Sequence, residues 1–185
     1  MLSCLIIFLS CHCQQLTDKI FRMSFRLKKR RSTPRAPLNR PVRVKVGNKE
    51  YQGRGIEVGI GGMSLWIGPV PDKGRMVTVT FSLPSSARQI TAMSEVAWST
   101  SNIAKGKKGR MGIRFVALPR DEREEIRSFV TRLARHYRDL HIMLAMNQWK
   151  LDRLKELTDA ACVPPYSDVK ELKERVKKAM DGFRL

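Results

Sequence analysis

Cysteine is nearly absent where it would matter for architecture: Cys4, Cys11 and Cys13 crowd the start of the chain and Cys162 stands alone far downstream. Without spaced pairs there is no disulfide scaffold, and a reducing, cytoplasmic setting fits best. Cys11-His12-Cys13 has metal-ligating residue types, but no second pair follows at zinc-site spacing, so no metal is expected. Long hydrophobic runs are also missing. The apolar stretch at the start, MLSCLIIFLSCHCQQ, is too short to span a membrane and lacks the basic segment and small-residue cleavage site of a secretory signal. Residues 1–22 therefore read as an apolar leader, with Met23 an alternative translation start. Catalytic patterns are absent as well. There is no nucleophile elbow, no phosphate-loop glycine pattern and no His and acid spacing for metal or acid–base chemistry, and His12, His136 and His141 are scattered. No enzymatic activity is expected.

Negative charge is scarce too: 36 Lys and Arg face 17 Asp and Glu, a net charge of +19 that favours an anionic partner. The excess is concentrated in residues 26–45, RLKKRRSTPRAPLNRPVRVK, with nine basic side chains and no acidic one. Aromatics make up only 7% of the chain and none interrupts that block, which supplies little for base stacking; DNA is not an expected partner.

The 42% apolar content argues for a packed core, and 185 residues suit one domain with an extension. Residues 23–39 form a basic arm. From residue 40 to 118 the chain reads as short strands. PVRVKV alternates Val42, Val44 and Val46 with Arg43 and Lys45, and further strands are expected at Tyr51–Val58, Met63–Ile67, Arg75–Leu83, Gln89–Trp98 and Met111–Val116. Six short strands with no helix between them predict a mainly β fold, a small antiparallel barrel or sandwich. After Pro119 the texture turns helical, with Asp121, Glu122, Glu124 and Glu125 at the favourable end of the helix dipole. A long helix is expected over 119–163, ended by Pro164-Pro165, and a short helix over 166–185 with Ser167 as its N-cap. Ile126, Val130, Leu133, Tyr137, Leu140, Leu144, Asn147, Leu151 and Leu154 follow a heptad seam. Such a seam predicts homo-oligomerisation through the helix at 122–158, or else a hairpin in which the second half folds back with Val169, Leu172, Val176 and Met180.

One constellation remains: Arg31-Ser-Thr-Pro-Arg35 ahead of the first strand, then Glu57-Val-Gly-Ile-Gly-Gly62 at a turn between two strands. The stretch RRSTPRAPLNRPVRV resembles the R-x-x-x-R arm of PilZ domains, and GRGIEVGIGGMSLWI resembles the segment carrying that family's D/N-x-S-x-x-G. EVAW ending at Trp98 and MGIRF ending at Phe115 resemble its late strands. The resemblance covers roughly residues 26–135 and implies a six-stranded barrel with a capping helix that binds cyclic di-GMP where the arm folds over the barrel. It also implies an unidentified protein partner for the signal and no cofactor beyond the ligand. Arg30, Arg31 and Arg35 suit a dianionic guanine dinucleotide, because a guanidinium fork holds phosphate oxygens bidentately or addresses guanine O6 and N7. Glu57 stands where the family has Asp or Asn, Gly59 stands where it has Ser, and Gly62 keeps the final glycine. With hydrogen bonds to charged groups worth about 1.5–3 kcal/mol and neutral ones about 1, the two departures are expected to weaken binding by roughly ten- to several-hundredfold. A domain that has lost the ligand and serves only protein interaction is the rival reading.

Overall fold

The structure, a computed structural model, describes residues 33–84, 86–100, 109–146 and 150–183. Its strands are β1 (Ala36–Pro37), β2 (Pro41–Val46), β3 (Lys49–Gly59), β4 (Gly62–Ile67), β5 (Met76–Ser82), β6 (Gln89–Ser99) and β7 (Gly109–Ala117). Its helices are α1 (Arg120–Met146), α2 (Leu151–Ala160) and α3 (Val169–Phe183).

Alternation of apolar and polar residues gives every long strand one inward face, and the inward set of Val42, Val44, Met63, Leu65, Ile67, Val79, Ile90, Val96 and Met111 is fully buried. Burying each such side chain contributes about 1.5–3 kcal/mol, so a one-residue slip in any strand is heavily penalised. Strand β2 pairs with β3 and β5, β5 with β6, β6 with β7, β7 with β4, and β4 with β3, all antiparallel. Six strands thus close on themselves and leave no edge. The tight β2–β3 turn uses Gly47 at φ 58, a left-handed conformation that glycine adopts without steric cost. The short strand β1 extends the arm along the upper half of β3, with Ala36 opposite Val58 and Pro37 opposite Glu57.

Helix α1 begins directly after Pro119, tied to the β5–β6 connection by Arg88, whose Nη2 lies 2.5 Å from Asp121 Oδ2. Its apolar stripe, Ile126, Phe129, Val130 and Leu133, joins the barrel core.

The helical region differs from expectation in two places. The single helix over 119–163 is two helices, because Lys150 is extended at φ −86 and ψ 126 and α2 starts afresh at Leu151. No proline or glycine forces this break; packing does. Leu154 and Leu157 of α2 and Leu172 and Val176 of α3 are buried in the same core cluster as Tyr137, Leu140 and Leu144 of α1. The apolar seam is therefore filled from within the chain, as in the hairpin alternative, while Leu151, a seam position, is 79% exposed. Asn147 lies outside the described residues. The second difference is the cap of α3: Asp168 Oδ1 accepts the Glu171 N–H at 2.7 Å, one residue later than expected. Ser167 instead donates both its N–H and its hydroxyl to Glu171 Oε2, each at 2.8 Å.

Candidate ligand site

Three segments converge at the upper end of β3. The first is the arm. Arg35 is half-buried and directly precedes β1, whose pairing with Glu57 and Val58 lays the arm beside the strand. The second is the β3–β4 turn. A bulge between Gly55 and Glu57 leaves Ile56 without a partner on β4 and puts Glu57 opposite Ser64. Bulges of this kind re-aim the following side chains, and Glu57 lines an open groove beside the barrel. The third is the C-terminal end of α3, where the Arg35 backbone N–H donates to Gly182 O at 3.0 Å.

Two glycines let these segments approach so closely. A Cβ on Gly59 would lie 2.5 Å from the Pro34 carbonyl oxygen and 3.0 Å from Arg35 Cγ. A Cβ on Gly182 would lie 3.2 Å from the Arg35 carbonyl oxygen. The arm is thus clamped between turn and helix. Of the turn glycines Gly59, Gly61 and Gly62, only Gly62 has a positive φ, 152°, and a side chain there would also run into the Ile113 carbonyl. Gly59 and Gly61 do not, so Gly59 is required by close approach rather than by backbone conformation. Arg30 and Arg31 lie outside the described residues, as does the Cys11-His12-Cys13 cluster.

From Glu57 an outward-facing row crosses the sheet: Glu57, Ser64, Gly112 and Trp98, paired in that order. The Trp98 indole lies directly over Gly112, where any side chain would collide with the ring, and the Arg110 guanidinium sits 5.7 Å above the ring centroid. Ser64 is covered to 1% exposure and its hydroxyl has no hydrogen-bond partner among the described residues. The next row is Arg54, Trp66 and Arg110, with Arg54 Nε held on Asn39 Oδ1 at 2.8 Å and Trp66 46% exposed.

A family model described as the PilZ domain matches residues 29–132, more than half of the 185-residue chain. The chain belongs to the PilZ family.

Among solved structures it is similar to the Bacillus subtilis inhibitor of motility MotI/DgrA, at 18% identity and TM-score 0.49 over 56% of this chain and 51% of that one. It is also similar to the PilZ domain of YcgR from Escherichia coli with c-di-GMP, at 15% identity and TM-score 0.44 over 60% of this chain and 96% of that one. The K. pneumonia MrkH–c-di-GMP complex is matched at 16% identity and TM-score 0.45 over 57% of this chain and 52% of that one. The match thus spans about half the length of MotI and of MrkH. No curated protein matches the chain.

The PilZ assignment accounts for the closed six-stranded barrel, and the departure at Gly59 acquires a physical reason. Where the PilZ pattern has serine, Gly59 gives its side-chain volume to the Pro34 carbonyl. Sequence reasoning missed Trp66, Arg54 and Gly182. Trp66 was legible as an aromatic residue at an outward position of β4, between buried Leu65 and Ile67. Gly182 carries no local signal, since only tertiary packing brings it to the arm.

Proposed function

We propose that this protein binds cyclic di-GMP at the upper end of β3 and relays occupancy of that site to a protein partner through its arm and α3. The observation that carries the reading is the β1–β3 register, which sets Arg35 next to the strand segment bearing Glu57. A guanidinium there suits a phosphate or a guanine edge, and the Glu57 carboxylate suits the N1–H and N2–H₂ donors of guanine. Trp98 with Arg110 adds a flat cationic–aromatic surface three strand spacings away, about 14 Å at roughly 4.8 Å each, a span suited to a two-base ligand. Arg30 and Arg31 complete the arm in this reading, by their match to the R-x-x-x-R pattern. Most of the seam that would serve self-association is covered from within the chain, with Leu151 left exposed, which favours a relay through the monomer. No described helix is long and apolar enough to cross a membrane. A cytoplasmic site of action, as the cysteine usage suggests, goes with this reading.

Fluorescence anisotropy with labelled cyclic di-GMP tests it. Arg35→Ala and Glu57→Ala should each weaken binding at least tenfold, whereas Arg43→Ala, on β2 and bonded to Gln89, should not. Equal losses in all three would reduce the site to a general anion patch.

The packing at Gly59 favours a second reading, in which the site has lost its ligand and the clamped arm is a fixed surface for a protein partner. Under it, the wild type shows no binding at tens of micromolar ligand.

A further inference from the structure

The groove that Glu57 lines has a second wall outside the barrel. Its volume is about 920 Å³, and α3 bounds it opposite Arg54, Glu57 and Trp66 with Glu171, Arg175 and Lys178. The charges in this groove are of two kinds. Some are already committed: Arg175 is paired with Glu171 at 2.5 Å, and Glu171 also accepts from Ser167. Those interactions, the Ser167 backbone hydrogen bond first, hold the Glu171 carboxyl well below its usual range, at about 2. Lys178 is different. It lies on the same face one turn beyond Glu174, is exposed, and makes no ion pair with it. Trp66, a large aromatic left 46% exposed, lines the same groove. An exposed indole, an ammonium with no ion pair among the described residues and the motif's own carboxylate in one groove are complementary to a ligand with a purine face and a phosphate.

We infer that α3 is the third wall of the ligand site, with Lys178 addressing a phosphate and Trp66 stacking a base of the bound cyclic dinucleotide. The inference rests on the proposed function and extends it to a helix beyond the matched residues 29–132. Geometry already couples that helix to the arm: the Arg35 N–H is bonded to Gly182 O, so a ligand that touches Lys178 and Arg35 engages both ends of one clamp. Leu172 and Val176 seat α3 on the core, which fixes the groove face toward the barrel.

Calorimetric titration of the full chain with cyclic di-GMP separates the possibilities, with Lys178→Ala, Trp66→Ala, the exposed neighbour Lys177→Ala as control, and melting curves to confirm folding. Lys178→Ala and Trp66→Ala are each expected to lower affinity about tenfold, and Lys177→Ala less than twofold. If Arg35→Ala abolishes binding while Lys178→Ala and Trp66→Ala bind as the wild type does, α3 is no part of the site and the proposed function stands without it. If Lys177→Ala loses as much as Lys178→Ala, the effect is diffuse electrostatics and the inference is overturned. A wild type that does not bind at all overturns both.

Discussion

The barrel and the helical region of this protein were both patterned clearly in the sequence, yet one was legible element by element and the other was not. In the barrel, a period of two assigns each residue to one of two faces, and closure leaves a single way to bury the inner one. In the helical region a period near 3.5 fixes only which stripe is apolar, and a stripe is satisfied equally by a second copy, by a hairpin or by the barrel itself. Here the chain supplies its own partners, with Leu154, Leu157, Leu172 and Val176 filling the stripe that Tyr137, Leu140 and Leu144 present. Periodicity specifies a face; tertiary packing specifies what covers it.

The largest effect expected from this contrast is a difference between two equally buried valines. Val44 in β2 and Val176 in α3 are both fully inaccessible. An unpaired carboxylate at either position costs several kcal/mol. Val44→Asp should abolish folding, whereas Val176→Asp should release α3 and leave the barrel's cooperative melting in place, read by near- and far-ultraviolet circular dichroism. Loss of both signals with Val176→Asp would make barrel and tail one inseparable unit.

A smaller effect is expected where the two regions meet. Gly59→Ser restores the residue usual in PilZ domains, but its Cβ would press on the Pro34 carbonyl, and overpacking of this kind costs about 1–3 kcal/mol. The arm should lift from the turn, so the Arg35 amide, bonded to Gly182 O, should exchange its hydrogen faster than in the wild type. Unchanged exchange and an unchanged melting temperature would mean the turn has room that the close approach denies it. The outcome also bears on the ligand, since a serine that frees the arm has a different meaning from one that adds a hydroxyl.

The smallest effect concerns the start of α3. The Glu171 carboxyl is held at about 2 by hydrogen bonds from Ser167 and Arg175, below its ordinary value of 4.5. A carboxylate depressed on folding lends stability that is fully present above the ordinary value and is lost as pH falls toward the folded one. Helicity of the tail should therefore decline between about pH 4.5 and 2, and Glu171→Gln should flatten that part of the acid titration while leaving the barrel signal alone. An identical acid profile in the variant would assign the transition to other carboxylates.

Most of the strands and the motif positions Arg35, Glu57, Gly59 and Gly62 were readable because each depends on neighbours close in sequence: alternation, turn residues and a short spaced pattern. What stayed hidden depends on distance along the chain. Gly182 reaches Arg35 from the far end of the sequence, and nothing in the local string AMDGF marks that glycine as a contact. The break at Lys150 was hidden for a similar reason, since α2 restarts to bury Leu154 and Leu157 without any helix-breaking residue. Trp66 lies between these cases: its outward position was implied by alternation, but the groove facing it is made by a helix whose docking the sequence did not fix.

The central claim is that the arm and the end of β3 form a specific cyclic di-GMP site despite Glu57 and Gly59. Its most direct test is a calorimetric titration of the full chain with cyclic di-GMP and with GTP, each at low and high salt. A specific site predicts saturable heat for cyclic di-GMP that survives added salt in good part, and little or none for GTP, because exposed charges are screened beyond roughly 8 Å at physiological ionic strength whereas directed hydrogen bonds and stacking are not. Equal binding of the two nucleotides that salt abolishes, or no binding of either, would contradict it.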